Sequence, residues 1–263
     1  MTTEILRTEV DEGVLVITFN RPEKLNAWTY QLHAQLRRAI EAANADKQID
    51  AIVVTATGKG FCAGADMSAV FGLSEAEKQK ARDDAQTHTW VQLLRDSKPI
   101  VAAVNGAAIG IGASLILPMD QILAAPEAKF ALRFVKMGLV PELAASHFAQ
   151  RRMGFGNASR LLLTGDTLSA DAALAVSLID QIVPAESLLS EAKALARRMG
   201  CNPHAALRTT KQLLTLNADE TDLQLVQQRE LDALTRSYAS AEHKEAVAAF
   251  LEKREPDFAG ARA

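Results

Sequence analysis

A chain of 263 residues that is 48% hydrophobic and 23% charged has the make-up of a globular protein, one large domain or two small ones. A net charge of −3 with no run of like charges argues against nucleic acid or an anionic membrane as the main partner. Two cysteines, Cys62 and Cys201, supply no disulfide framework and point to a reducing compartment, so a cytoplasmic location is expected.

The opening MTTEILRTEV has no basic stretch followed by an apolar run and is read as lacking a secretory leader. Ile5–Glu9 and Val14–Phe19 read as two strands joined by a tight turn at Asp11–Gly13. Leu32, Leu36, Ile40 and Ala43 recur at helical spacing, predicting a helix that starts near Thr29. Ala51–Val54 is an unbroken apolar run, the pattern of a strand buried on both faces. It leads into Gly58–Asp66 (GKGFCAGAD), with glycines at 58, 60 and 64. Ser74-Glu-Ala-Glu77 is a capping box that opens a charged helix predicted to run to about Leu94. Its first half is too polar for a core and reads as a cover.

The longest apolar stretch, Ile100–Met119, is interrupted by Asn105, Gly106, Gly110, Gly112, Ser114 and Pro118. It therefore reads as strand, turn and helix, not as a membrane span. Ile100–Val104 is the strand, Asn105–Gly112 (NGAAIGIG) a second glycine turn, and Ala113–Leu117 a short helix. Strand, glycine turn and helix thus occur twice. Two such turns could face one another and offer two backbone N–H groups to one oxygen, or they could be independent connections; spacing alone leaves both open. Pro141 favours a helix start, which would put Glu142 in the first turn of a helix running to about Arg152. From about Glu186 onward every strong pattern is helical.

Several chemistries lack their motif. Gly106, Gly110 and Gly112 do not have dinucleotide-fingerprint spacing, and no glycine loop ends in the Lys-Ser or Lys-Thr of a phosphate loop. Ser114 is not followed by the glycine a nucleophile elbow needs. The histidines are scattered without metal-ligand spacing, so no metal is expected. Cys62 reads as a small buried residue.

Taken together, RPEKLNA (21–27), GFCAGAD (60–66), KPIVAAVNGAAIGIG (98–112), Ala128-Lys-Phe130, GLVPE (138–142) and AFLEKREP (249–256) resemble the enoyl-CoA hydratase/isomerase (crotonase) superfamily over nearly the whole chain. The resemblance implies an α/β fold, a crotonase-type spiral of ββα units spanning 1–185, and a helical C-terminal trimerisation region over 186–263. It implies a homotrimer or a dimer of trimers acting on an acyl-CoA thioester. No separate cofactor is expected, because CoA is part of the substrate.

By the same resemblance the thioester oxygen would sit between the backbone N–H groups of Ala65 and Ile111. The CoA moiety would lie along Ala63, Ala65, Asp66 and Met67 and along Lys24 and Leu25, with Phe250 and Lys253 contributing from the C-terminal helices, in some relatives from a neighbouring subunit. Ile111 stands where the family usually has glycine, and its side chain is expected to narrow the acyl pocket. The two glutamates of a hydratase match Ser114 and Phe134 here, and neither can act as a carboxylate. Glu142 remains, matching the single base of the family's Δ3,Δ2-enoyl-CoA isomerases, so Glu142, Ala65 and Ile111 are the expected catalytic set. Other enolate-forming reactions, namely hydration, ring opening or hydrolysis of an unusual acyl-CoA, and a non-catalytic CoA-binding role are the alternatives.

Overall fold

The computed structural model describes residues 4–262, so the first three residues of the segment read for a leader lie outside it. In chain order the elements are β1 (Leu6–Asp11), β2 (Val14–Phe19), α1 (Tyr30–Ala45), β3 (Ala51–Ala56), β4 (Gly60–Cys62), α2 (Glu75–Asp84), α3 (Trp90–Arg95), β5 (Ile100–Val104), β6 (Ala107–Ile109), α4 (Ile111–Ser114), β7 (Gln121–Ala124), β8 (Lys129–Ala131), α5 (Ala145–Thr164), β9 (Leu168–Ser169), α6 (Ala170–Ala175) and β10 (Gln181–Ile182). The helices α7 (Leu188–Gly200), α8 (His204–Leu216), α9 (Leu223–Tyr238), α10 (Ala241–Glu252) and α11 (Phe258–Ala261) follow.

The strands form two sheets. One has six strands in the order β1-β2-β3-β5-β7-β10, and the other four in the order β4-β6-β8-β9. Successive strands from β3 to β8 alternate between the sheets, so each turn of the chain adds one strand to each. This is the ββα spiral expected from the sequence. Within the large sheet only the β1–β2 hairpin is antiparallel; the other pairings are parallel.

The unbroken apolar runs are explained by burial on both faces of the large sheet. Alternate residues of a strand point to opposite sides. Ile52, Val54, Ile100, Ala102 and Val104 face the main core. Ala51, Val53, Val101 and Ala103 face a second cluster closed by Leu188, Ala192 and Ala196 of α7. The first of the C-terminal helices is therefore packed on the sheet, as its i, i+4 alanine stripe allows.

Three helical boundaries differ from expectation. The Ser74–Glu77 capping box is present, with the Ser74 N–H donating to Glu77 Oε2 at 2.8 Å. The helix nevertheless stops at Asp84, because Gln86 adopts a left-handed conformation with φ 48°. The helix after the second glycine turn begins at Ile111, not Ala113. Finally, Glu142 is not in a helix. Leu143 and Ala144 have φ of 54° and 56°, so the helix starts only at Ala145 and then runs to Thr164 through a kink at Gly154.

Candidate active site

The first glycine turn is knitted to the segment 21–27. Asn26 is fully buried and left-handed, φ 55°. Its Nδ2 donates to the carbonyls of Thr57 (2.9 Å) and Gly60 (2.8 Å), and its Oδ1 accepts from the Arg21 N–H (2.7 Å). The Leu25 carbonyl accepts from the Ala63 N–H at 3.1 Å. Sequence reading assigned roles to Lys24 and Leu25 and missed Asn26, which anchors them; its burial is set by partners more than 30 residues away and leaves no local signal. Lys24, Leu25 and Met67 are exposed around this turn.

Asp66 is committed to the fold. One carboxylate oxygen accepts from Ser68 Oγ (2.8 Å) and from the Ala69 N–H (3.2 Å), capping the single turn Met67–Phe71. The other pairs with Arg21 at 3.0 Å. The Ser68 hydroxyl and the Arg21 guanidinium hold its pKa down to about 2. Its side chain is therefore a strut, and only its backbone is left to line a ligand.

The two glycine turns face each other. β4 and β6 pair in parallel, Gly60 opposite Ala107 and Cys62 opposite Ala108. At Gly112 a Cβ would run into the Cys62 carbonyl oxygen and lie 2.7 Å from its Cβ, so only glycine lets α4 pack this closely. Gly64 has φ +105°, and a Cβ there would lie 3.4 Å from the Ile109 carbonyl oxygen. Trp28 forms a parallel bridge with Ala65, its N–H donating to the Gly64 carbonyl (2.7 Å) and its carbonyl accepting from the Asp66 N–H (2.9 Å). That pattern turns the Ala65 N–H away from Trp28. Ile111 is the first residue of α4, where an N–H has no intrahelical acceptor. Among the described residues neither the Ala65 nor the Ile111 N–H has an acceptor. The Ile111 side chain is 4% exposed and packs in the main core.

The positions matching the hydratase glutamates offer no acid. Ser114 is buried with its hydroxyl on the Gly110 carbonyl at 3.3 Å, and Phe134 is 7% exposed. The Gly110 N–H donates to the Ala131 carbonyl at 2.7 Å, so the chain leaving β8 for Glu142 starts beside the second turn. Glu142 is open to solvent yet set among enough protein to lose hydration, and this pushes its carboxyl above the ordinary range; the Arg82 charge from α2 pulls the other way. Glu142 precedes α5, and its carbonyl accepts from the Ala145 N–H at 3.0 Å.

Phe250, 83% exposed, and Lys253, also exposed, lie at the end of α10, and no hydrogen bond or ion pair within the chain brings them to either glycine turn among the described residues. Two surface grooves of about 450 Å³ lie elsewhere, one between α5 and α6 and one between α8 and α9. Neither contains Ala65, Ile111 or Glu142, so the chemistry, not the volume, marks the site.

Residues 9–261 match the enoyl-CoA hydratase/isomerase family. Over 263 residues the chain is 36% identical to a 1,2-epoxyphenylacetyl-CoA isomerase of Escherichia coli, covering 98% of this chain and 99% of that one. It is 34% identical to a 2,3-dehydroadipyl-CoA hydratase of the same organism, over 95% and 96% of the two chains. Among solved structures, an enoyl-CoA hydratase from Bacillus anthracis superposes with a TM-score of 0.90 at 27% identity, over 98% of this chain and 100% of that one. One from Polaromonas superposes with a TM-score of 0.86 at 30% identity, over 96% and 98%. The spiral of paired strands, the facing glycine turns and these full-length likenesses agree: the chain belongs to the enoyl-CoA hydratase/isomerase family.

Proposed function

We propose that this enzyme binds a 3-enoyl-CoA and shifts its double bond to give the 2-trans-enoyl-CoA. The observation that carries this reading is the combination of two unclaimed N–H groups on facing turns with one carboxyl of raised pKa, Glu142, where both hydratase positions have lost their acid. Glu142 removes a proton from C2 of the thioester. The dienolate oxygen accepts from the N–H groups of Ala65 and Ile111, donors that need no reorganisation as charge develops. Protonated Glu142 then delivers the proton to C4, so one group serves as base and acid. CoA enters as part of the substrate, lying along Lys24, Leu25, Ala63, Asp66 and Met67 by their main chain and exposed side chains. Phe250 and Lys253 act from a neighbouring copy in a trimer, consistent with the lack of a hydrogen bond or ion pair from them to the turns among the described residues.

A second reading is ring opening of an epoxide acyl-CoA, favoured by the 36% identity to a protein named for that substrate. It uses the same two donors and the same carboxyl. The test is conversion of 3-hexenoyl-CoA, 2-hexenoyl-CoA and 1,2-epoxyphenylacetyl-CoA by the wild type and Glu142→Gln. The double-bond shift is expected from the wild type, with a loss of at least about 100-fold in the variant, the low end for a general base. Turnover of the epoxide alone selects the second reading. Hydration of 2-hexenoyl-CoA that survives in Glu142→Gln overturns both.

A further inference from the structure

His33 lies on α1, outside every segment assigned to the reaction, and it is fully buried. Burial holds its pKa down to about 4, so the ring is neutral. Its Nδ1 accepts from Trp28 Nε1 at 3.4 Å, and its Nε2 has no partner among the described residues. In a neutral imidazole whose Nδ1 accepts, the proton sits on Nε2. That leaves a buried N–H without an acceptor, a cost that an apolar residue such as Leu32 or Leu36 on the same helix does not carry. The Nδ1 bond to Trp28 is the interaction that accounts for a histidine here.

Trp28 bears directly on the first donor. The Gly64 carbonyl and the Ala65 N–H belong to one trans peptide and point opposite ways. The Trp28 N–H donates to that carbonyl at 2.7 Å, which aims the Ala65 N–H away from Trp28. The same bond polarises the peptide in the sense that strengthens its N–H as a donor. On the other side, the His33 ring lies 4.9 Å from that of Trp90 at a tilt of 55°, and Trp90 Nε1 donates to the Leu115 carbonyl at 3.2 Å. Leu115 closes the helix that Ile111 opens. One buried aromatic group, Trp28–His33–Trp90, thus touches the back of the Gly64–Ala65 peptide at one end and the C-terminal end of α4 at the other.

We propose that His33 is a positioning residue: through Trp28 it holds the Gly64–Ala65 peptide in the orientation that presents the Ala65 N–H to a thioester oxygen. The inference rests on the reading of Ala65 as an oxyanion donor, but not on which reaction follows.

The test uses acetoacetyl-CoA, whose enolate absorbs in the near ultraviolet and reports stabilisation of a bound oxyanion without turnover. His33→Leu keeps apolar volume and removes the acceptor; His33→Asn keeps an acceptor oxygen near the place of Nδ1; Trp28→Phe keeps the ring and removes the donor. His33→Leu and Trp28→Phe are expected to form the bound enolate roughly tenfold less, short of the about 100-fold that deleting an oxyanion donor costs. Free CoA should bind as to the wild type, and His33→Asn should restore most of the signal. An undiminished enolate signal in folded His33→Leu or Trp28→Phe overturns the proposal, as do equal losses in the Leu and Asn variants. If His33→Leu does not fold, Trp28→Phe and His33→Asn decide. No enolate with the wild type overturns both this proposal and the donor role of Ala65, whereas an enolate without a double-bond shift overturns only the isomerase chemistry.

Discussion

A carboxyl lifted above its ordinary range by burial is a better base near neutrality and also a cost to the fold wherever it is charged. For Glu142 the sign follows from linkage. The folded protein holds this proton more tightly than the unfolded chain, whose pKa is near 4.5, so the stability it contributes is present at low pH and lost as pH rises through the folded pKa. Solvent access keeps that term small. Glu142→Gln should therefore melt at or slightly above the wild-type temperature at pH 7 while activity falls, and a melt several degrees lower would contradict the raised pKa. Arg82 favours the charged carboxylate. Arg82→Gln should move the acid limb of kcat/KM to higher pH, and an unmoved limb would show that Arg82 does not act on the base. Asp66 has the opposite sign. Its pKa of about 2 means that its stabilisation is complete above the unfolded value near 3.8 and is lost as pH falls through about 2. Asp66→Ala removes a cap worth about 1 kcal/mol and the Arg21 pair besides. The difference in melting temperature from wild type should be largest near neutrality and shrink in acid.

At the scale of elements, α2 has no buried residue, so its cap carries much of what holds it. Ser74→Ala removes the hydroxyl that accepts from the Glu77 N–H and leaves the Ser74 N–H on the Glu77 carboxylate. A loss of about 1 kcal/mol should speed amide exchange across 75–84 about fivefold while the global melt stays put. Exchange unchanged there would mean that α2 is held by tertiary contacts instead. The same helix illustrates what the sequence conveys. Its start was legible because a capping box is a local bond between residues three apart. Its end was not, because Gln86 pays for a left-handed backbone through bonds made elsewhere, its carbonyl accepting from Arg37 and from the Thr89 N–H. Glu142 was displaced from its expected helix for a like reason. Leu143 and Ala144 take positive φ with no glycine to announce it, while Leu143 packs on the core and Ala145 is buried. β3 and β5 were readable because burial on both faces writes itself as an unbroken apolar run. The glycine turns were readable as turns, but their facing one another comes from the β4–β6 pairing, a contact between residues about 50 apart. The aim of the Ala65 N–H depends on Trp28, and no local pattern carries that.

The whole molecule leaves apolar side chains on its C-terminal helices that a lone chain has no means to cover. On α9, Leu231, Leu234 and Tyr238 are 49%, 46% and 57% exposed at spacings of three and four, one face of the helix. With Leu213 of α8 the two leucines line a groove of about 450 Å³. Contiguous apolar surface of this kind marks an interaction site, and the trimer proposed above would bury it between copies. Covering a half-exposed leucine gains roughly 1 kcal/mol, whereas burying an unpaired carboxylate in the same place costs several. Leu231→Asp with Leu234→Asp should therefore separate the copies while each chain stays folded, since both side chains lie outside the core clusters. Light scattering should give the wild type the mass of three or six chains and the double variant the mass of one. CoA binding then distinguishes how the site is completed. If Phe250 and Lys253 reach the CoA of a neighbouring copy, affinity falls with the mass, by about tenfold or more for a lost buried aromatic contact. If they serve their own chain, affinity is kept when the copies part. A double variant that keeps the wild-type mass would remove α9 from the interface and leave its exposed stripe to another partner.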